Sequence, residues 1–570
     1  MMNRTNLAKR YAPLAAIAAL QLLIIVGVPS KVPTTNVATG SSGDFGGSTD
    51  GTVAEDPTAA GADVPGAEAG PGGTASTVVG GAPGAAKAGG TKAGGTATGG
   101  GATTGTGGGA PGSPGDTSHC KDGRQFDPKI DPSAPPCVPK FAGDNGGATY
   151  RGVSKDQILI IDYYSKGDPA VDAVLKAQNA YATIEQRQDF DNAAAAWINK
   201  SYELYGRKVK IETYQGNCDT IPPDNTCLRN EVRQIISQKN PYAIQWNTSL
   251  SSAFFGEVSG QKVVNLGGWH FTKEFNQAFS PYHYDVQMDG TELMTNAATW
   301  SCAQVIPFNA RYAQGNIKDK PRRIGLISTS DPDNKKAAEV YKKVIKEQCN
   351  AEVAAEYYYD QNISTAGPQI QALVNKMQSA GVTTEICLCD LVAPQVLYAV
   401  QGKTYNYFPE TITTGSGFVD SDAAAQAYDK DQYKNAFGLS QLGQQEKVGA
   451  AIGSRVWRAG GRSGDAPFVS SSAHYEYQSL LASMIQAAGP KLTPANMKAG
   501  VAKYGRTGAT LNTASRGVVG DSAWNDDMRV VYWDLNKNSS YNDKPGTYVN
   551  LFPGKRFEPG QYAKTEFLRP

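Results

Sequence analysis

Residues Gly152 to Tyr214 fix the class of fold open to this chain. After Gly152-Val-Ser-Lys-Asp-Gln157 comes Ile158-Leu-Ile-Ile161, a short apolar run rich in β-branched residues, which reads as a buried strand. Phe190, Ala194, Trp197, Ile198, Ser201 and Tyr205 then recur at helical spacing, so one helix face looks inward. Gly206 stands where that helix would stop, and Val209, Ile211 and Thr213 alternate as a second strand. A strand, a helix and a strand in that order form a crossover unit. The strands must then be parallel, and a parallel sheet must be covered by helices on both faces.

The chain has 570 residues, of which 40% are hydrophobic and 19% charged, enough for two lobes with cores of their own. A net charge of +1 gives no electrostatic case for a nucleic-acid partner. His119, His270, His283 and His474 lie far apart, and no His-Glu-x-x-His or paired Cys-x-x-Cys spacing occurs, so neither a metal nor another cofactor is expected. The eight cysteines, in a chain that looks exported, point to disulfides.

The N-terminus carries Arg4, Lys9 and Arg10 before an apolar run from about Ala12 to Val28. Residues 1–33 read as a signal peptide or an uncleaved signal anchor, a membrane link with the rest of the chain exported. Val28-Pro-Ser30 is a poor cleavage site because Pro29 separates its small residues, and no cysteine follows closely for a lipid anchor. Residues 34–117 are Gly, Ala, Thr, Ser and Pro with scarcely any large apolar side chain, a composition that reads as a disordered linker. As a flexible coil its ends would lie about 50 Å apart, which suits a tether; low-complexity drift is the alternative. Residues 118–149 form a lead-in segment in which Cys120 and Cys137 bracket a proline-rich loop, read as a disulfide. The turn residues between Cys218 and Cys227 make a second local disulfide.

Further along, strand and helix patterns alternate. Helical spacing runs from Leu228 to Gln238, a short strand from Ala243 to Gln245, and a helix begins near Ala253. Val263–Leu266 is the next strand and Thr291–Val305 a helix leading to a crossover. A second series has strands at Ile324–Ser328, Glu352–Tyr359, Glu385–Cys389, Thr411–Thr414 and Phe437–Ser440, with helices between them. Tyr477, Leu480, Leu481, Met484 and Ala488 mark a helix ended by Gly489; Thr493-Pro494 starts another, and Met528–Asp534 is a closing strand.

The stretch Gly152-Val-Ser-Lys-Asp-Gln-Ile-Leu-Ile160, a long helix, and Tyr205-Gly-Arg-Lys-Val-Lys-Ile-Glu212 resemble the opening of the leucine/isoleucine/valine-binding protein family, the type I periplasmic solute-binding proteins of ABC importers. The stretch from Tyr475 to Gly489 is similar to that family's returning first-lobe helix. The resemblance covers about residues 150 to 540. It implies an α/β, two-lobed type I periplasmic-binding-protein fold, each lobe a parallel sheet flanked by helices, with three crossovers and a cleft at the strand carboxyl ends. The expected division is residues 150–298 for lobe 1, 299–443 for lobe 2, 444–515 for the lobe 1 return, and 516–570 for the lobe 2 return and tail. Cys302 and Cys349 fall in adjacent second-lobe helices and are candidates to pair, whereas Cys387 and Cys389, two apart on one strand, read as two buried core thiols.

Candidate ligand-binding residues follow from the same alignment of motifs. Asn247-Thr248-Ser249 runs into a helix N-terminus, where outward-pointing N–H groups suit an anionic group; Thr248 matches the family's carboxylate-binding loop, and a plain helix cap is the alternative. Gly268, Trp269 and His270 stand where the family has small residues and a hydroxyl, so a larger or ring-bearing ligand is implied; Trp269 and Phe271 simply packing between lobes is the other reading. Tyr163 and Tyr164, with Ser165, follow the first strand and would line the cleft from below; a solvated strand end is the alternative. In the second lobe the candidates are Asp333 and Asn334, Asp390, Ser416, and Asp420 as the nearest acid for an ammonium group. The region of Asp331 to Asn334 lacks the family's ligand-contacting Tyr, which puts amino-acid binding in question but not the fold.

No Gly-x-Ser-x-Gly elbow, P-loop or dinucleotide-binding glycine pattern is present, so the chain is not expected to be an enzyme. The resemblance implies an exported monomer that captures a small solute, an amino acid or a relative of one, for an ABC permease. A ligand-sensing ectodomain of the same fold is the alternative, with an extracellular hydrolase and a wall-associated structural protein behind it.

Overall fold

The structure, a computed structural model, describes residues 115–169, 172, 176, 181–246, 251–362, 365–390, 393–506, 514, 516–517 and 522–570. The expected signal segment at 1–33 and the linker at 34–117, save its last residues, lie outside the described residues, as do Asn247, Thr248 and Ser249. Among the described residues no helix is long and apolar enough to cross a membrane.

Strand β1 (Gln157–Tyr164) opens the first lobe. It pairs in parallel with β2 (Lys208–Gln215) on one side and β3 (Ala243–Trp246) on the other. Beyond β3 lie β4 (Val264–Gly267) and β5 (His283–Tyr284), giving the order β2-β1-β3-β4-β5, all parallel. The period of two splits β1 between two cores. Ile158 and Ile160 join one buried cluster, and Ile161 and Tyr163 join the other on the opposite face.

Counting helices of eight residues or more, α1 (Ile184–Ser201) covers the first face. A capping box starts it: Thr183 Oγ1 accepts the Gln186 N–H at 3.2 Å, and the Gln186 side chain accepts the Thr183 N–H at 2.9 Å. Phe190, Ala194, Trp197 and Ile198 of the expected spacing are buried in it, but the helix ends at Ser201 rather than before Gly206, and Tyr205 lies beyond it with φ of 57°. On the other face lie α2 (Asn225–Lys239) and α3 (Ser252–Gly260), which bring Leu228, Val232, Ile235, Phe254 and Phe255 to the second cluster.

The chain crosses to the second lobe over residues 285–289. Helix α4 (Gly290–Gln304) packs in the second lobe's core beside α5 (Pro332–Cys349). The second sheet runs β12-β11-β10-β9-β8-β6-β7. Strands β6 (Ile324–Thr329), β7 (Val353–Tyr359), β8 (Thr384–Leu388), β9 (Glu410–Thr413) and β10 (Phe437–Ser440) are parallel. Helices α6 (Ala366–Ser379) and α7 (Ala393–Tyr405) lie in that series. The chain then returns to the first lobe as α8 (Ile452–Ala459), α9 (Ser471–Ala488) and α10 (Pro494–Val501), whose apolar faces join the α1 core. It crosses a third time between Trp524 and Met528. Strands β11 (Arg529–Asn538) and β12 (Pro545–Asn550) finish the second sheet. They run antiparallel, so that edge departs from the wholly parallel sheet expected for each lobe. The order of lobes, the three crossings and the helix-covered parallel sheets are those the resemblance implies.

The lead-in segment is built into the first lobe. Asp131 is fully buried and accepts hydrogen bonds from Tyr475 Oη at 3.1 Å and Ser479 Oγ at 2.8 Å on α9. The Phe126 ring lies 5.2 Å from that of Trp197 and 5.0 Å from that of Tyr202. Disulfides join Cys120 to Cys137, Cys218 to Cys227 and Cys302 to Cys349. Cys387 and Cys389 are also joined, which corrects the reading of them as two thiols. Residues two apart on a strand face the same way, and here both sulfurs enter the same core with their Cα atoms 5.2 Å apart.

Trp300 of α4 is fully buried against Phe437 and Phe567, and its indole N–H donates to Gln304 Oε1 at 2.9 Å. Trp300→Ala should therefore cost about 3–5 kcal/mol of stability, read as a lower urea midpoint at unchanged slope.

Candidate functional site

In a parallel sheet the strand carboxyl ends all point one way, and the two lobes of this chain meet where their carboxyl ends face each other. The loop after β4 comes from the first lobe. Gly267 and Gly268 have φ of 132° and 92°, a region that favours glycine, and a Cβ on Gly268 would strike the Phe271 ring. These glycines turn the chain so that Trp269, His270 and Phe271 follow at once, all of them buried. His270 itself holds φ of 58°, uncommon for a residue with a side chain.

Polar contacts cross the seam at several points; the Gly290 N–H donates to the Phe271 carbonyl at 2.9 Å and the Lys273 N–H to Thr291 Oγ1 at 3.0 Å. The Gly417 N–H, in the loop after β9, donates to His270 Nε2 at 3.1 Å, while His270 Nδ1–H donates to the Met288 carbonyl at 2.7 Å. The Thr272 hydroxyl donates to Asp333 Oδ1 at 2.9 Å, and the Thr272 N–H donates to Asp333 Oδ2. Ser252 Oγ, at the start of α3, donates to Asp331 Oδ2 at 3.1 Å. Asp331 is also the cap of α5, accepting the N–H groups of Asp333 and Asn334. The rings of Trp269 and Phe418 meet edge to face at 6.1 Å. Gly417 is needed beneath them: with φ of 53°, a Cβ there would lie 2.9 Å from the Cys389 carbonyl oxygen and 3.2 Å from the Trp269 ring.

The remaining candidates take varied places. Asn334 Nδ2 donates to Thr329 Oγ1 at 2.8 Å. Asp390 caps α7 through the Ala393 N–H at 2.9 Å and accepts from Gln361 at 3.1 Å. Ser416 Oγ donates to the Cys389 carbonyl at 3.2 Å. The structure thus gathers Gly268, Trp269, His270, Asp333 and Ser416 about the seam. Tyr163 instead points into the core, its hydroxyl donating to Glu231. Asp420 is buried beside Arg529 and Ser440; burial pushes its carboxyl up to about 6, offset by those two groups.

Tyr164 leads to a cluster that the motif reading missed. Its hydroxyl donates to the Ala182 carbonyl, and the Arg187 guanidinium lies 4.9 Å over its ring. Arg187 Nε donates to Asp162 Oδ2 at 2.8 Å, and Arg187 Nη2 lies 3.2 Å from His474 Nδ1. His474 Nε2 in turn lies 2.8 Å from Asp191 Oδ1, which also accepts from Gln478 at 2.7 Å. Burial pushes both Asp162 and Asp191 up to about 6, against the pull of Arg187, and pushes His474 down to about 4. Two carboxyl groups with one guanidinium and a neutral imidazole leave room for one shared proton. The sequence signal was two facing pairs at helical i, i+4 spacing, Arg187 with Asp191 and His474 with Gln478.

A cavity of about 270 Å³ lies at the opposite end of the first sheet, where Lys155, Asp156, Tyr205 and Gly206 precede β1 and β2, and Phe141 and Asp144 close it. That end faces away from the seam.

Comparison with solved structures places the fold. A branched-chain amino acid ABC transporter protein from Thermus thermophilus with bound valine superposes with a TM-score of 0.50 at 9% identity, over 71% of this chain and 97% of that one. A solute-binding protein of an ABC transporter from R. palustris in complex with 4-hydroxybenzoate gives 0.48 at 13% identity, over 71% and 98%. An ABC transporter substrate-binding protein from Desulfitobacterium hafniense in complex with Leu gives 0.43 at 13% identity, over 69% and 100%. The superposition on the valine-bound protein shows that the chain has the two-lobed fold of type I periplasmic solute-binding proteins. No protein-family model matches it, and no curated protein matches it in sequence.

The buried cluster sets a sign for pH dependence. A carboxyl whose folded pKa is raised to about 6 binds more protons in the folded than in the unfolded state above about pH 4. Its contribution is present below the unfolded value and is lost as pH rises through about 6. Asp162→Asn should accordingly gain stability relative to the unsubstituted chain between pH 4.5 and 7.5. Urea midpoints measured at both pH values check this, and an equal offset at the two would contradict it.

Proposed function

We propose that this chain is an extracytoplasmic solute-binding protein that captures a small solute between its lobes and presents it to an ABC permease. The observation that carries the reading is the seam itself. The carboxyl ends of two helix-covered parallel sheets face each other there, joined through three chain crossings and a few hydrogen bonds rather than a shared apolar core. Such a joint can open and close by a hinge, which is what solute capture requires. The solute would lie among Tyr164, the Asn247-Thr248-Ser249 loop, Gly268 and Trp269 from the first lobe, and Asp333, Asn334, Asp390 and Ser416 from the second. Trp269 would supply an aromatic wall, and the class that fits is an amino acid or an amino-acid-like solute with an apolar or ring-bearing side chain. The N-terminal segment and the linker would hold the protein at the outer face of a membrane, with the lobes reaching the permease as a monomer.

A thermal-shift screen against amino acids, short peptides, polyamines, sugars and aromatic acids tests this. A solute present at a hundred times its dissociation constant adds about 2.7 kcal/mol to the folded state. The expected result is a shift with one solute class that is lost in Trp269→Ala. A folded sample that shifts with none of them would contradict the proposal.

A further inference from the structure

Of the contacts across the seam, one has a geometry that a single proton reverses. Both ring nitrogens of His270 are committed. Nδ1–H donates to the Met288 carbonyl, which fixes the tautomer, and Nε2 therefore presents a lone pair to the Gly417 N–H. A proton added at Nε2 would set an N–H against an N–H, and the ring cannot turn over without losing Met288. The loop has no slack to absorb the clash. Gly417 is wedged between the Cys389 carbonyl and the Trp269 ring, and a Cβ on Gly290 would collide with the His270 carbonyl, so the backbone is enclosed from both lobes.

We propose that His270 is an acid-released latch, joining the lobes through the Gly417 N–H while the imidazole is neutral and letting them part when it takes a proton. The latch stands on the seam alone and not on the identity of any solute.

Burial pushes the ring down to about 4, and the Met288 carbonyl offsets this only in part; no charged side chain among the described residues contributes. The charged groups around it have their own partners. Asp285 accepts the His270 backbone N–H and is bonded to Tyr477 Oη and the Gln287 N–H. Asp289 caps α4 one residue beyond Met288. Asp333 holds Thr272, two residues along, and Asp390, one residue beyond Cys389, caps α7. None of them supplies a counter-charge at Nε2, so a protonated ring gains by reaching water. Once parted, the ring returns to its ordinary value near 6.5. The closed and open states then bind protons differently, and the parted state is favoured about 20-fold more at pH 5 than at pH 7.

Hydrogen exchange of the full chain at pH 7 and pH 5, corrected for the intrinsic pH dependence of amide exchange, reads this directly. The expected result is that exchange of the Gly417 amide speeds up about 20-fold at pH 5 while core amides of β8 stay protected. In His270→Gln, whose amide oxygen can still accept from Gly417 but cannot take up a proton, the acceleration should vanish. An equal acceleration in His270→Gln, no acceleration in the unsubstituted chain, or loss of protection throughout the core would each overturn the proposal. Should His270→Gln fail to fold by circular dichroism, exchange at the imidazole C2 position gives the ionisation of His270 in the unsubstituted chain. Amide release at pH values where that ring stays neutral would overturn the proposal too.

Discussion

Parallel strands buried on both faces impose the rule from which the rest of the molecule follows. A parallel sheet must be covered on each side, so alternate side chains of its central strands serve different cores and both sets must be apolar. Strand β1 does this with Ile158 and Ile160 against Ile161 and Tyr163. Strand β8 does it with Ile386 and Leu388 on one face and Cys387, continued by Cys389, on the other. Little of either strand is left for polar side chains, which gather at the carboxyl ends, where loops leave the sheet and helices begin. Those ends, in both lobes, converge on the seam.

The seam differs in kind from the cores it joins. Each lobe is held by buried aromatic and aliphatic side chains, every one contributing about 1.5–3 kcal/mol. Across the seam, among the described residues, the contacts include the His270–Gly417 and Ser252–Asp331 hydrogen bonds, the Thr272–Asp333 pair, the Gly290 N–H on the Phe271 carbonyl, the Lys273 N–H on Thr291 Oγ1 and one ring edge. Hydrogen bonds contribute about 0.5–1.5 kcal/mol each, and about 1.5–3 where a charged group takes part. The two cores take little part in the joint, and under the proposed function the energy of a bound solute would be of the right size to shift a balance between open and closed lobes.

Much of this architecture was legible in the chain. The cap that Thr493 makes before Pro494 and the stop at Gly489 mark helix ends because unsatisfied backbone groups demand particular residues there. The alternating strands were equally plain, because burial on two faces requires unbroken apolar runs. Other elements left no periodic signal. Strand β5 is only His283–Tyr284, and β12 begins Pro545-Gly546, residues that read as a turn. The antiparallel edge depends on pairing between distant segments, which no local pattern records. At the seam, Trp269 and His270 stood out as large residues where small ones were expected, whereas their partner Gly417 stood out only once the Trp269 ring was seen against it. The cluster of Arg187, Asp162, Asp191 and His474 joins three elements far apart in the chain, so its members looked like ordinary helix and strand residues.

The most direct test of the seam as the place of solute capture is hydrogen exchange of the full chain, with and without the solute that gives the largest thermal shift. Capture at the seam predicts new protection in three segments: 268–272, 331–334 and 415–418. Protection confined to residues 141–145 and 205–206, around the cavity at the far end of the first sheet, would contradict it.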